Sequence, residues 1–208
     1  MVERKLDKLS VELSKACDLA GYISSRLHDV SISDTLRNRF AGACFSVALD
    51  HFDAVLMLLG YTPKLYSSAY ALMRPIFESY IRGMWFLYCA TDEAIENFNK
   101  NKPYQLPKKI ESLIEAVEQA GRFEKQLSNS YTNNWSDLCD YAHTGLLQIQ
   151  RWNTSQAIEP NYPENEILEI IRFTSALAIL SAVSVAESIV GNNDLTQELH
   201  GKAKEISA

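Results

Sequence analysis

Glycine and proline are scarce in this sequence, with 8 and 6 among 208 residues. Sandwiches and barrels need many tight turns built from these residue types, so their scarcity argues against an all-β fold. Apolar residues instead recur at three- and four-residue steps, as at Leu6, Leu9, Leu13, Ala16 and Ala20, which is the period of an amphipathic helix. The sequence predicts an all-α bundle of about seven or eight helices, forming a single domain over residues 1–208.

Cysteine pairs with metal-binding spacing are also lacking. The four cysteines, Cys17, Cys44, Cys89 and Cys139, lie apart in apolar helical segments, so we predict buried free thiols in a cytosolic protein. Residues 1–8 are charged, unlike the start of a signal peptide. The most apolar segment, residues 173–186, is shorter than the roughly 20 residues of a membrane span, which predicts a core helix and no membrane contact.

The sequence has no excess of positive charge. Its 20 basic and 26 acidic side chains give a net charge of −6, and its pI is about 5.3. Such a surface repels a phosphate backbone, which disfavours broad nucleic-acid binding. One local exception is a lysine cluster around Tyr104, which is either a basic patch or an ordinary solvated loop: Lys100, Lys102, Lys108 and Lys109.

The segment 64–90 is apolar on nearly every helical face, which predicts the central helix of the bundle. Pro75 lies within it, lacks a backbone N–H and crowds the carbonyl of Ala71, so we expect a kink or a break there. Further helices are predicted over residues 2–28, from about 34 to 60, 91–100, 108–120, 123–149 and 164–190, and after residue 193, with a long irregular connection at 154–163. We expect a residue between 31 and 34 to cap the second of these helices, a left-handed Gly60 to close it, and Thr91 or Asp92 to cap the helix over residues 91–100.

Two charged residues in the central helix, Arg74 and Glu78, lie four residues apart and so share one face. Tyr70 and Arg82 continue the same stripe by one turn in each direction. A solvated pair of this kind contributes only about 0.3–0.5 kcal/mol. An enclosed pair costs several kcal/mol to desolvate, so the sequence indicates either a structural ion pair or a polar site.

A second group of polar residues is Asp140 and His143, three residues apart on one helical face, preceded by Cys139 and Ser136. A carboxylate beside an imidazole raises its pKa and orients the ring, an arrangement used in general acid–base catalysis. A histidine that is only hydrogen-bonded within a helix interface is the other interpretation.

His51 lies between Asp50 and Asp53 and is the third candidate. A di-iron bundle would require a second Glu-x-x-His-like motif, but Ala48 occupies the position three residues before His51. The chain also lacks a phosphate-binding glycine loop, a His-Glu-x-x-His motif and a nucleophile elbow. We therefore predict no metal and no cofactor.

The run from Leu72 to Glu78, together with His51, the Gly60 turn and the later Tyr141-Ala-His143, resembles a group of bacterial helical proteins of unknown function. These proteins are in turn similar to distant members of the HEPN superfamily. That resemblance implies a small, commonly dimeric helical bundle. Many HEPN proteins are metal-independent ribonucleases of toxin, defence or RNA-processing systems.

The HEPN marker is an arginine followed after four to six residues by a histidine, close to the dimer cleft. His143 matches the histidine, but Ser136, Asp137 and Leu138 occupy the three positions available to the arginine. Our conjecture is that Arg74 supplies the guanidinium from another helix.

The leading hypothesis is a HEPN-like homodimer, RNA-directed in a toxin or phage-defence context, with Arg74, Glu78, Asp140 and His143 as catalytic residues in one polar pocket. The acidic pI disfavours RNA as the partner. The alternative is a non-enzymatic protein-interaction module in which these residues are structural and the tyrosines between residues 61 and 88 bind a partner protein. A third hypothesis is a small-molecule pocket near Pro75, anchored by the Ala71 carbonyl and Arg74.

Overall fold

Ten α-helices make up most of residues 7–100 and 109–207, which are the residues that the computed structural model describes. Eight of them have eight or more residues, two are shorter, and no named strand occurs among the described residues, which confirms the all-helical prediction. The helices are α1 (Lys8–Leu27), α2 (Leu36–Gly60), α3 (Tyr66–Ala71), α4 (Met73–Tyr88), α5 (Asp92–Asn99), α6 (Ile110–Gln119), α7 (Gln126–Ala142), α8 (Leu146–Gln150), α9 (Glu164–Ser184), which continues as a π-helical turn (Val185–Val190), and α10 (Asn193–Ser207).

Helix α4 lies at the centre of the bundle and packs against α2, α6, α7 and α9. Its most extensive contact is with α2, where Gly83 faces the ring of Phe45. A Cβ atom at Gly83 would lie 2.8 Å from Phe45 Cζ, so a side chain at this position would force the two helices apart. The buried apolar side chains form one connected core.

The predicted interruption of the central helix is confirmed at Leu72, which separates α3 from α4. The Leu72 N–H donates to the carbonyl of Ala69 at 3.2 Å, a tighter turn than an α-helix makes. Pro75 occupies the first turn of α4, where its missing N–H costs least. The break places Tyr70 in α3 and Arg74 in α4.

A second interruption was not predicted. The expected helix over residues 123–149 is two helices, α7 and α8, separated by His143, Thr144 and Gly145. Thr144 is left-handed with a φ of 56°, and the Gly145 N–H donates to the Asp140 carbonyl at 2.7 Å. No proline marks this turn in the sequence, and the break places His143 at the end of α7.

Three further expectations need correction. Helix α2 is capped by Thr35, whose hydroxyl accepts from the Asn38 N–H at 3.2 Å, rather than by a residue between 31 and 34. Gly60 is the last helical residue of α2 and does not adopt a left-handed conformation. All four cysteines are free thiols, as expected, but none is fully buried, and Cys17 is exposed. The lysine cluster around Tyr104 lies mostly outside the described residues.

Two helical segments have the length and mean hydropathy of membrane spans, Leu36–Gly60 at 1.5 and Glu164–Val190 at 1.8. The most apolar window of Leu36–Gly60 is 33% buried inside the protein, and that of Glu164–Val190 is 61% buried. Core helices of soluble proteins have the same composition. The predicted core position of residues 173–186 agrees with this burial.

Candidate functional site

The Arg74 side chain lies at the surface end of α4, where three groups surround its guanidinium. Its Nε donates to Glu78 Oε1 at 2.7 Å. The guanidinium carbon stands 4.7 Å from the centroid of the Trp135 ring, a cation–π distance. Its Nη1 contacts Nε2 of His143. Because 24% of the Arg74 side chain is exposed, the guanidinium is positioned by protein groups yet remains accessible to a solute.

His143 reaches this cluster from the break between α7 and α8. Its backbone N–H donates to the Cys139 carbonyl at 2.9 Å, and its side chain is exposed. A guanidinium can only donate, so Nε2 of the imidazole is the acceptor in the contact with Arg74. The Nε2 lone pair is engaged by Arg74, so this nitrogen acts as a general base only when the guanidinium turns to another acceptor.

Glu78 lies on α4 between Arg74 and Arg82, each one helical turn away from it. Besides Arg74, its carboxylate faces Arg82, with Oε2 3.6 Å from the Arg82 Nη2. The cluster therefore carries two guanidinium groups and one carboxylate, a local excess of one positive charge on an acidic protein.

Asp140 does not join the cluster. Its Oδ2 accepts the backbone N–H of Leu147 at 3.1 Å, which caps the start of α8. Gly145 lies so close to the Asp140 side chain that a Cβ atom at position 145 would be 2.7 Å from the Asp140 Cγ. The carboxylate helps to hold the break between the two helices, and no ion pair joins it to the His143 imidazole among the described residues.

Two aromatic residues of α7 complete the site and were not singled out from the sequence. The rings of Trp135 and Tyr131 stack with centroids 5.0 Å apart. The Tyr131 hydroxyl donates to Glu111 Oε1 at 2.5 Å. Burial, together with this hydrogen bond, raises the pKa of Tyr131 to about 12. Their four-residue spacing, and the eight residues from Trp135 to His143, are the sequence signals that could have placed them here.

A comparison with protein-family models matches residues 45–208 to a family of unknown function, DUF6988. The chain belongs to this family. The match includes Arg74, Glu78, Trp135 and His143, so the whole cluster lies within the family's shared region. No curated protein and no solved structure is significantly similar to the chain.

His51 has no such surroundings. It is half-buried on α2, and Asp50 and Asp53 beside it are both exposed. Nowhere in residues 7–100 and 109–207 do three or more histidine, cysteine, aspartate or glutamate side chains form a group that could hold a metal ion.

A cavity of about 290 Å³ opens beside the break at Leu72, on a neighbouring face of α7. Its walls come from α3, α4, α7, α8 and α9, and its polar lining includes Tyr70, Arg151 and Glu166. Arg74 and the Ala71 carbonyl, predicted as the anchors of a pocket near Pro75, are not among its lining residues. The cavity is therefore a second feature, separate from the Arg74–His143 cluster.

Proposed function

We propose that this protein is a cytosolic, HEPN-like, RNA-directed protein of a toxin or phage-defence system, with the Arg74–His143 pair as its reactive site. The observation that carries the proposal is the contact between the Arg74 guanidinium and the exposed His143 imidazole, two residues that are 69 positions apart in sequence. This pair supplies the two groups of the HEPN marker from different helices, since the usual arginine positions hold Ser136, Asp137 and Leu138.

The chemistry would be RNA cleavage by the neighbouring 2′-hydroxyl. Arg74 turns its Nη1 from His143 Nε2 to the scissile phosphate, and the freed Nε2 accepts the 2′-hydroxyl proton while the 2′-oxygen forms a bond to phosphorus. The bond from phosphorus to the 5′-oxygen breaks, and that oxygen takes a proton from solvent, leaving a 2′,3′-cyclic phosphate and a 5′-hydroxyl. Arg74 stabilises the charge on the pentavalent phosphorane, and Glu78 holds the guanidinium in position.

The aromatic residues beside the pair favour single-stranded RNA. Splayed bases stack on aromatic rings and on guanidinium planes, and Tyr131, Trp135 and Arg74 offer both surfaces. The net charge of −6 disfavours long contacts along a phosphate backbone. We therefore propose a short, local contact of a few nucleotides.

The test is incubation of the full chain with an end-labelled single-stranded RNA in the presence of EDTA. We expect cleavage with cyclic-phosphate ends, reduced at least about a hundredfold in His143→Ala. His200→Ala, an exposed histidine on α10, is the matched control and should cleave like the wild type. Two results would overturn the assignment, each taken together with harmless expression of the protein in cells. The first is RNA that stays intact with the wild type, and the second is equal cleavage by the wild type and His143→Ala.

The second candidate is a non-enzymatic protein-interaction module, and one observation favours it. Three apolar side chains around α8 are unusually exposed: Leu146 at 65%, Ile149 at 53% and Ile158 at 86%. An exposed apolar surface of this kind is typical of a protein contact. A pull-down that recovers a stoichiometric partner with the wild type but not with Leu146→Lys would support this function.

Homodimerisation is part of the proposal, because HEPN-like sites lie near a dimer cleft. Light scattering on the purified chain should give twice the 23.5 kDa of one chain. If α8 is the dimer surface, Ile149→Lys should return the mass to that of the monomer.

A further inference from the structure

Tyr70 lines the cavity beside α7 and is buried. The Tyr70 side chain is 1% exposed, and its hydroxyl has no hydrogen bond within the part of the chain that the structure describes. Its ring is held between Tyr141 and Tyr162, at centroid distances of 4.8 and 4.7 Å. A buried hydroxyl without a partner is costly, and native proteins rarely keep one without a water or a ligand to satisfy it.

The hydroxyl is available as a hydrogen-bond donor. Burial raises the pKa of Tyr70 far above its ordinary value, so the phenol stays protonated at physiological pH. The neighbouring phenol of Tyr162 already donates to Gln148 Oε1 at 3.1 Å and contacts the Ser67 hydroxyl. Tyr70 is thus set apart from the polar network around it, within a cavity near the lower size limit of small-molecule sites.

The charged residues of the cavity favour a cation. Arg151 is neutralised by Glu166, through Nε to Oε2 at 2.9 Å and Nη2 to Oε1 at 2.5 Å. Asp137 and Glu169 also line the cavity, are exposed at its rim, and have no ion pair among the described residues. One arginine and three carboxylates leave the lining with two uncompensated negative charges, which attract an ammonium group and repel a carboxylate.

Apart from Asn134 and the ring of Tyr141, the remaining wall is apolar and comes from four helices: Met73, Leu138, Leu147, Ile170 and Phe173. These side chains can enclose one aromatic ring or a short alkyl chain. The cavity therefore presents an acidic rim, an apolar middle and a donor hydroxyl.

We propose that this cavity binds a small amphipathic amine, with its ammonium group at Asp137 and Glu169, its apolar body against the wall, and an acceptor oxygen at the Tyr70 hydroxyl. The site does not share a residue with the Arg74–His143 pair. Its ligand is recognised independently of any action on RNA.

The probe is tyramine, whose ammonium group and phenolic oxygen flank one ring. Three analogues remove one feature each: phenethylamine lacks the oxygen, 4-ethylphenol lacks the ammonium group, and 4-hydroxyphenylacetate replaces it with a carboxylate. Calorimetric titration of the full chain should give a tyramine Kd about tenfold lower than those of phenethylamine and 4-ethylphenol, and no binding of the carboxylate.

Variants assign the two ends of the ligand. Glu169→Gln and Asp137→Asn should each weaken tyramine binding about tenfold, whereas Glu124→Gln, an exposed carboxylate on the loop before α7, should change nothing. Tyr70→Phe removes only the unpartnered hydroxyl, so the chain should fold normally and bind tyramine and phenethylamine equally. RNA cleavage should be unchanged in this variant, which separates the two sites.

Three results would overturn the proposal. The first is the absence of any amine binding or thermal shift at millimolar probe. The second is binding of the carboxylate as tight as that of tyramine. The third is unchanged tyramine affinity in both Glu169→Gln and Asp137→Asn, with circular dichroism showing that the variants are folded.

Discussion

Replacing Arg74 with methionine tests whether the charged cluster on α4 is a structural ion pair or an accessible site. Methionine keeps an apolar stem against the Trp135 ring but removes the guanidinium that contacts Glu78 and His143. The two readings predict different losses of stability, because the cost of removing a charge depends on how far its partner is from water.

The exposure of the cluster sets the magnitude. Arg74 and Glu78 side chains are each 24% exposed, so their i,i+4 pair is worth about 0.3–0.5 kcal/mol. The cation–π contact with Trp135 adds about 0.5–1 kcal/mol. Glu78 keeps Arg82 as a neighbour at 3.6 Å, so its carboxylate is not left without a cation. Arg74→Met should therefore lower the free energy of unfolding by about 1 kcal/mol, or the Tm by about 2–4 °C.

Urea unfolding followed by tryptophan fluorescence measures this loss, with Glu78→Gln and the double variant completing a cycle. The coupling energy of the pair should be about 0.5 kcal/mol. A loss of 3–5 kcal/mol on Arg74→Met is the cost of breaking an enclosed pair. That result would refute the accessible site and favour the structural role that the interaction-module hypothesis assigns to Arg74.

The remaining predictions concern packing, capping and pH. Gly83→Ala places a Cβ 2.8 Å from Phe45 Cζ and should cost about 1–3 kcal/mol in urea unfolding. Arg37→Met removes three hydrogen bonds, to the Phe86 and Ala90 carbonyls at and just after the end of α4 (2.7 and 2.8 Å) and to Asp92 Oδ1 (2.6 Å), and should speed hydrogen exchange at that end of α4. Burial and the hydrogen bond to Glu111 raise the pKa of folded Tyr131 from its ordinary 10.0 to about 12. The protonated phenol therefore contributes its full stabilisation below pH 10, and this contribution is lost as the pH rises towards 12. Unfolding curves between pH 8 and 12 measure that loss.

Each of these predictions has a matched control. Gly21→Ala fills open space on α1 and should stabilise the protein by about 0.5–1 kcal/mol. If Gly21→Ala also lowered the stability, the loss in Gly83→Ala could not be assigned to the contact with Phe45. Arg39→Met, an exposed neighbour of Arg37, should leave the exchange of α4 unchanged. Tyr131→Phe should flatten the alkaline loss, and an identical slope in this variant would contradict the assignment to Tyr131.

Local chemistry accounts for what the sequence predicted well. The apolar period of α1 and the Thr91 cap of α5, whose hydroxyl accepts from the Ala94 N–H at 3.1 Å, depend on neighbours within four residues. The break at Leu72 follows from Pro75 in the same way, because a missing N–H acts on its own helix. Features that depend on such near neighbours can be predicted from the sequence alone.

The break at Thr144 could not be predicted in this way. This break depends on a hydrogen bond from the Leu147 N–H to the Asp140 carboxylate. An aspartate near a helix end can act as a cap or as part of an acid–base pair, and the sequence does not distinguish the two roles. The sequence alone therefore could not separate the two roles of Asp140.

The sequence by itself determined that this chain is helical, that its central helix is broken and that charged residues stand within it, because periodicity, proline chemistry and charge are properties of neighbouring residues. Only the tertiary structure decided that Arg74 meets His143, that Tyr70 faces a separate cavity and that Asp140 caps a helix. The rotation of a helix about its axis decides which side chains converge, and that rotation is set by the packing of the whole core.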